Sequence, residues 1–235
     1  MSGRVSENHM PTVLITGAGR GLGLEFARQY AAEGWKVIGT IRDPGGRERL
    51  AAVGADVRAY VLDVTDRAAL ARLAADLRSD PIDVLVCNAG IMGPSGASLG
   101  RIDYAAWEQV LRVNVLGATA VAEAFAENVA GSRRKVIAMI SSRLGSIGEA
   151  YRAEYLYGPS KAALNAVSKA LSIGLAERGI TVVALSPGWV RTDMGGQSAP
   201  LAPETSVSGM KKVIEGLTPE QSGRFFDYDG SNVPW

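Results

Sequence analysis

A chain of 235 residues, 47% of them hydrophobic and 21% charged, is long and apolar enough to bury a full core, and one α/β domain fits this length better than two. Its 25 lysines and arginines against 24 aspartates and glutamates leave a net charge of +1, which gives no long-range field for steering towards nucleic acid or an anionic membrane. A single cysteine, Cys87, excludes an internal disulfide framework, and a single histidine, His9, excludes a zinc cluster of Cys and His; a reducing cytoplasm and no metal site are the expectation.

Residues 1–9 are polar and lack the apolar run of a secretory signal, so 1–10 is set aside as a disordered leader or cloning remnant, and 11–235 is read as one domain. No later apolar run approaches the roughly 18 residues that cross a bilayer. The β-branched run Thr12–Thr16 predicts a first strand. Directly after it, Thr16-Gly17-Ala18-Gly19-Arg20-Gly21-Leu22-Gly23 opens a predicted helix over Gly21–Glu33. Glycines in such a turn permit positive φ, let backbone N–H groups approach a pyrophosphate and pack helix against strand, while the helix N-terminus attracts the anion.

The second strand, Lys36–Ile41, ends in Gly39-Thr40-Ile41-Arg42. An acid that would bind the ribose hydroxyls of NAD is missing there, since Ile41 holds the place. Arg42, with Arg20 in the glycine turn, suits the 2′-phosphate of NADP instead, because guanidinium pairs well with phosphate. NADP(H) is therefore the expected cofactor, with NAD(H) left open and two solvated surface arginines as the alternative reading.

Further strands are read at Val57–Leu62, Asp83–Cys87, Lys135–Ile140 and Thr181–Leu185, all buried on both faces. Helices are read at Asp66–Leu77, Trp107–Val129 and Tyr157–Arg178 from apolar positions three and four apart. After the sixth strand Gly195, Gly196, Pro200 and Pro203 break the rhythm, so a flap over about 190–216 is expected, with a helical piece near Ser206–Gly216. Arg224-Phe225-Phe226 before Asp227-Tyr228-Asp229-Gly230 reads as a last short strand and turn. Strands alternating with helices through right-handed crossovers give a doubly wound parallel sheet of seven strands with helices on both faces, the Rossmann fold.

Tyr157 and Lys161, four apart at a helix start, face the same side and can act on one ligand. A free phenol has a pKa of about 10 and a nearby ammonium favours its ionised form, which brings proton transfer within range. Tyr-x-x-x-Lys alone is a common accident of helical sequences. Here Ser141-Ser142 follows the fifth strand and Asn88-Ala89-Gly90 follows the fourth, and ligands gather at the carboxyl ends of strands in this fold.

With these motifs together, the chain resembles the short-chain dehydrogenase/reductase family from the glycine turn to Pro187-Gly188. The resemblance implies Tyr157 as general acid/base and Lys161 binding the nicotinamide ribose and lowering the tyrosine pKa. It further implies a serine orienting the carbonyl, read as Ser142 in preference to Ser141, and Asn114 completing a proton relay. Asp63, beside Val64, looks like the adenine-binding acid, with capping of the next helix as its alternative role. Asn88, Ala89, Gly90, Pro187, Gly188, Val190 and Thr192 complete the implied cofactor set, Thr192 meeting the carboxamide.

Ser186–Gly196 and the ending Phe225–Gly230 with Pro234-Trp235 look like the carbonyl-reductase branch that includes C-factor and sniffer-like proteins. Cys87 departs from the asparagine often found there. The implied activity is hydride transfer from NADPH to an apolar aldehyde or ketone, since Met92, Ile147, Trp189 and Met194 are apolar. Alcohol oxidation uses the same residues in reverse. A C-factor-like signalling protein, in which nucleotide binding matters more than turnover, is the rival. Partners are a small carbonyl or alcohol and copies of the chain itself, with monomer, dimer and tetramer all open.

Other classes fall away. A Ser-His-acid hydrolase needs a placed histidine, and His9 lies in the leader. Ser208-Gly209-Met210-Lys211 lacks the partner motifs of a penicillin-recognising enzyme. Arg133-Arg134-Lys135 reads as a solvated loop, Asp227 and Asp229 as turn residues, and Cys87 as a small buried hydrophobe.

Overall fold

The structure, a computed structural model, describes residues 10–150 and 152–235; the leader expected over 1–10 lies, Met10 apart, outside them. In chain order the elements are β1 (Thr12–Ile15), α1 (Gly21–Ala32), β2 (Lys36–Ile41), α2 (Arg47–Ala51), β3 (Val57–Val61), α3 (Arg67–Asp76), β4 (Val84–Cys87) and α4 (Tyr104–Leu111). A π-helical turn, Arg112–Gly117, leads into α5 (Ala118–Ala124), α6 (Ala126–Ala130), β5 (Val136–Ile140), α7 (Tyr157–Gly174), β6 (Thr181–Ser186), α8 (Pro203–Glu215) and β7 (Phe225–Asp227). All seven strands form one sheet in the order β3-β2-β1-β4-β5-β6-β7. Every pairing is parallel, as the doubly wound reading requires.

Alternation along the strands sends side chains to two apolar layers. On one face Val13, Ile15 and Val37 pack with Phe26 and Tyr30 of α1, Leu50 of α2 and Val207 and Met210 of α8. On the other, Leu14, Ile38, Leu85 and Ile137 pack with Leu70 and Leu73 of α3, Val121 of α5, Phe125 between α5 and α6, and Leu164 of α7. These layers leave the carboxyl ends of the strands uncovered.

Several expectations are corrected. β3 is not buried on both faces: as an edge strand with a neighbour on one side only, it leaves Val61 47% exposed. The helix read as Trp107–Val129 begins at Tyr104, where Asp103 accepts the Ala106 N–H at 2.9 Å, and it is interrupted by the π turn and again at Phe125. The helix read as Tyr157–Arg178 stops at Gly174, with a 3₁₀ turn at Ala176–Arg178 and a left-handed Gly179 ending the segment. α2 is absent from the sequence reading, since Pro44-Gly45-Gly46 hides its start. Arg133-Arg134-Lys135 is more than a solvated loop: the Arg134 guanidinium lies 5.5 Å from the Trp35 ring centroid and donates to the Glu215 carbonyl.

The stretch 190–216 divides in two. Pro203 starts α8 at the position where its missing N–H costs nothing, and α8 seats Val207, Met210 and Ile214 against α1. Lys211 pairs with Glu33 and lies 4.6 Å from the Tyr30 ring centroid. Residues 191–200, by contrast, are mostly exposed.

Candidate active site

β1 and β4 are neighbours at the centre of the sheet, where the chain order reverses and a doubly wound fold opens its crevice. The turn after β1 is built by backbone demands. Gly17 has φ +70°, a left-handed conformation that a side chain strains, and a Cβ on Gly23 would stand 2.2 Å from the Gly17 carbonyl oxygen. α1 therefore starts directly beneath the turn. Thr16 joins this turn to the loop after β4, its hydroxyl accepting the N–H groups of Asn88 at 3.0 Å and Ala89 at 3.1 Å. Asn88 returns the tie through its amide, which donates to the Thr16 carbonyl at 2.9 Å.

A cleft of about 670 Å³ runs along this edge. Gly17, Gly19, Gly21 and Leu22 line it from the glycine turn, Asn88, Ala89 and Gly90 from the loop after β4, and Pro187 and Thr192 from the segment after β6. Gly23 serves the packing beneath. Two further residues expected to bind the cofactor do not line the cleft: Gly188, at φ +75°, packs under the Tyr228 ring, and the Val190 side chain is 4% exposed; of the expected catalytic residues Ser142 and Asn114 stand outside the lining, which takes in Ser141.

The end of the cleft beside β2 is polar. Arg42, Asp43, Asp63 and Val64 line it, together with Arg49 of α2, which sequence reading missed because its helix was not read. Arg49 Nε donates to the Gly19 carbonyl at 3.2 Å. Arg20 lies in the cleft mouth and pairs with Asp193 at 3.1 Å, both side chains largely exposed. Asp63 Oδ1 accepts the N–H of Thr65 at 2.8 Å and its hydroxyl at 2.7 Å; these bonds hold its carboxyl below the usual range, and the Arg42 guanidinium adds to the effect. The alternative role of Asp63 as a helix cap is corrected, because Asp66 caps α3 by accepting the Ala69 N–H.

At the other end, the first turn of α7 presents Tyr157 and Lys161, and both are buried. Lys161 Nζ donates to the Ile140 carbonyl at 2.7 Å and lies 5.5 Å from the Tyr157 ring centroid. Burial lowers the Lys161 pKa to about 8. Burial likewise pushes the Tyr157 phenol up to about 12; a side-chain hydrogen bond with Ser142 pulls the other way, and the Glu154 carboxylate adds to the rise. The depression expected from Lys161 is not among the causes of this shift, which burial dominates. At neutral pH the phenol keeps its proton.

The two serines after β5 are separated by their partners. Ser141 is 1% exposed and donates to Asn165 Oδ1 at 2.6 Å, tying β5 to α7, whereas Ser142 is only partly buried and faces the phenol. Asn114, in the π turn, holds the loop after β4: its Oδ1 accepts the Ile91 N–H, and its amide donates to the Ile91 carbonyl, both at 2.8 Å, and to the Ser160 hydroxyl at 3.0 Å. π turns concentrate at functional sites, yet no residue pattern announced this one. Cys87 is fully enclosed and burial pushes its thiol up to about 12, which leaves it inert.

Comparison with known proteins identifies the family. The short chain dehydrogenase family profile matches residues 11–201. The C-signal of Myxococcus xanthus is 44% identical over 156 residues, covering 66% of this chain and 93% of that protein. Among solved structures, the carbonyl reductase Sniffer of D. melanogaster superposes with a TM-score of 0.89 at 33% identity, over 97% of this chain and all (100%) of that one. The NADPH-bound carbonyl reductase from chicken fatty liver does so with a TM-score of 0.88 at 32% identity, over 97% of this chain and 100% of its own. A profile match through the glycine turn, the Tyr157 helix and the segment after β6 places this chain in the short-chain dehydrogenase/reductase family, as an oxidoreductase of the carbonyl-reductase type.

Proposed function

We propose that the protein is an NADP(H)-dependent reductase of small apolar aldehydes or ketones, acting in the cytoplasm. The observation that carries this reading is geometric: Tyr157 and Lys161 line the same cleft as the glycine turn after β1 and the loop after β4, so a proton donor and a cation stand at one end of a dinucleotide-shaped groove.

The cleft suits the cofactor on its own terms. The left-handed Gly17 and the close approach at Gly23 leave backbone where a pyrophosphate would lie, and Arg42 and Arg49 bring cationic charge beside β2, where Ile41 offers no carboxylate, while Arg20 is paired with Asp193. Asp63 and Val64 would flank the adenine, and Lys161 and Thr192 the nicotinamide end. When bound, the nicotinamide supplies the hydride. The protein supplies the rest: Ser142 orients and polarises the carbonyl oxygen, Tyr157 gives it a proton, and Lys161 steadies the negative charge that forms on the phenol. Asn114 keeps the loop after β4 in place for this, through Ile91. Met92 and Met194 line the cleft and give the substrate an apolar wall.

The test is oxidation of NADPH and of NADH by purified protein against a broad panel of carbonyl compounds. Turnover preferring NADPH and lost in Tyr157→Phe is the expected result; no turnover with either cofactor overturns the reading. The 44% identity with the C-signal favours one second reading, a signalling protein in which nucleotide occupancy suffices. A Tyr157→Phe variant that fully complements a deletion strain, where a Gly17 variant does not, would support it.

A further inference from the structure

Arg143 follows Ser142 directly and is the hub of a set of ties that the hydride-transfer chemistry does not itself use. Its Nε and Nη2 both reach Glu149 Oε2, at 3.0 and 2.7 Å, and its Nη1 donates to Asp227 Oδ2 at 2.9 Å. Asp227 closes β7 and is 5% exposed, and its Oδ1 is buried without a hydrogen-bond partner among the described residues. A buried carboxylate satisfied on one oxygen only depends heavily on that one guanidinium. A second tie runs in parallel: the Gly148 N–H donates to the main-chain oxygen of Trp235 at 3.0 Å, and the Trp235 ring stacks on Phe225 of β7 at 5.7 Å between centroids.

The loop 143–149 is therefore fastened at both its ends to the last strand and the residues beyond it. Inside the loop Ser142 accepts the Leu144 N–H at 3.2 Å and Ser146 the Glu149 N–H at 3.1 Å, so the serine and the ties belong to one hydrogen-bonded unit. We propose that Arg143 is a positioning residue that, by joining the two ends of this loop through Glu149 and fastening them to Asp227 of β7, holds the Ser142 hydroxyl in register with the Tyr157 phenol. The role in turnover rests on the carbonyl-reductase reading; the clamp itself does not.

The experiment compares wild type, Arg143→Met, Asp227→Asn and the double variant Arg143→Met/Asp227→Asn. Amide hydrogen exchange over 143–149, thermal midpoint, NADPH affinity and steady-state kcat for reduction of 4-nitrobenzaldehyde are measured on each. Arg143→Met leaves a buried carboxylate unpaired, so it lowers the midpoint as well as freeing the loop. The double variant removes that stranded charge while leaving the loop unclamped. The expected result is a midpoint restored towards wild type in the double variant, with loop exchange still raised at least tenfold, kcat still lowered about tenfold, and the NADPH dissociation constant within twofold of wild type. Recovery of kcat together with the midpoint overturns the proposal, because the ion pair is then only structural. Loop exchange at the wild-type level in both arginine variants also overturns it. Wild-type protein that reduces no carbonyl overturns the reductase reading instead, and loop exchange then decides the clamp alone.

Discussion

The Lys161 ammonium donates to the Ile140 carbonyl at 2.7 Å while standing 5.5 Å from the centroid of the Tyr157 ring. Helix α7 and strand β5 thus share one buried cation, and the two groups expected to act together are shifted by burial in opposite ways: the phenol up to about 12, the ammonium down to about 8. Both shifts favour the uncharged form, as desolvation dictates.

The pH dependence of turnover follows. Tyr157 stays protonated throughout the working range, so it imposes no alkaline limit on reduction; Lys161 loses its charge as pH rises through about 8, and the reduction rate falls there. Alcohol oxidation needs the phenolate and rises with pH over the same range. Steady-state profiles in both directions from pH 6 to 10 check this.

Stability carries the same signature with a definite sign. Between about 8 and the ordinary lysine value of 10.5 the unfolded chain binds the proton that folded Lys161 has lost, so stability rises with pH across that window. Between 10 and about 12 the folded Tyr157 keeps a proton that the unfolded chain releases, so its contribution falls. Urea midpoints of wild type and Lys161→Met at pH 7, 9 and 10 separate the lysine part, which the variant lacks.

Ser142 and Ser141 part company on substitution. Ser142→Ala lowers kcat by about 10² to 10³-fold, the usual effect of removing one donor to a reacting oxygen, with little change in melting temperature. Ser141→Ala leaves Asn165 Oδ1 without its 2.6 Å partner and costs about 1–3 kcal/mol of stability, with kcat within about twofold of wild type. Paired kinetics and denaturant titrations read both.

Arg42→Asp reverses the charge at the end of the cleft beside β2. NADPH affinity falls about 10 to 100-fold and NADH affinity is unchanged or improved, since a carboxylate repels the 2′-phosphate and accepts from ribose hydroxyls. Fluorescence titration with each nucleotide is the measurement, and equal losses for both would refute the clamp.

Two glycines respond with opposite sign. Gly23→Ala places a Cβ 2.2 Å from the Gly17 carbonyl, costs about 1–3 kcal/mol and weakens nucleotide binding. Gly174→Ala, at the last position of α7 with no atom within 4 Å of the added carbon, stabilises by about 0.4–1 kcal/mol through the unfolded state. Thermal melts with and without NADPH show both.

Much of this was legible in the residues because the signals are local. A strand running into Gly17–Gly23 and then into an amphipathic helix has one economical meaning, and the six β-branched runs match six strands to within a residue or two. Arg49 and α2 were not legible, since Pro44-Gly45-Gly46 reads as a turn and the five-residue helix behind it has too few apolar positions to show a period. Nor was the π turn at Asn114, because an extra residue in a helical turn leaves composition and spacing almost unchanged. Val190 was assigned to the cofactor by likeness alone; its side chain is buried, and the hydrogen bonds of its bridge to Leu201 are made by Trp189 and Arg191 on either side.

From its own chain, then, this protein declares its fold class, its family and the residue types at each strand end, because periodicity and turn chemistry are properties of neighbours in sequence. Tertiary structure decided how each group is placed there: which partners Ser141 and Ser142 take, which way Lys161 points, and how far burial moves both pKa values. Those outcomes depend on side chains brought together across gaps of many residues, as when Arg143 meets Asp227 from β7. Desolvation and hydrogen bonding act only once that packing exists.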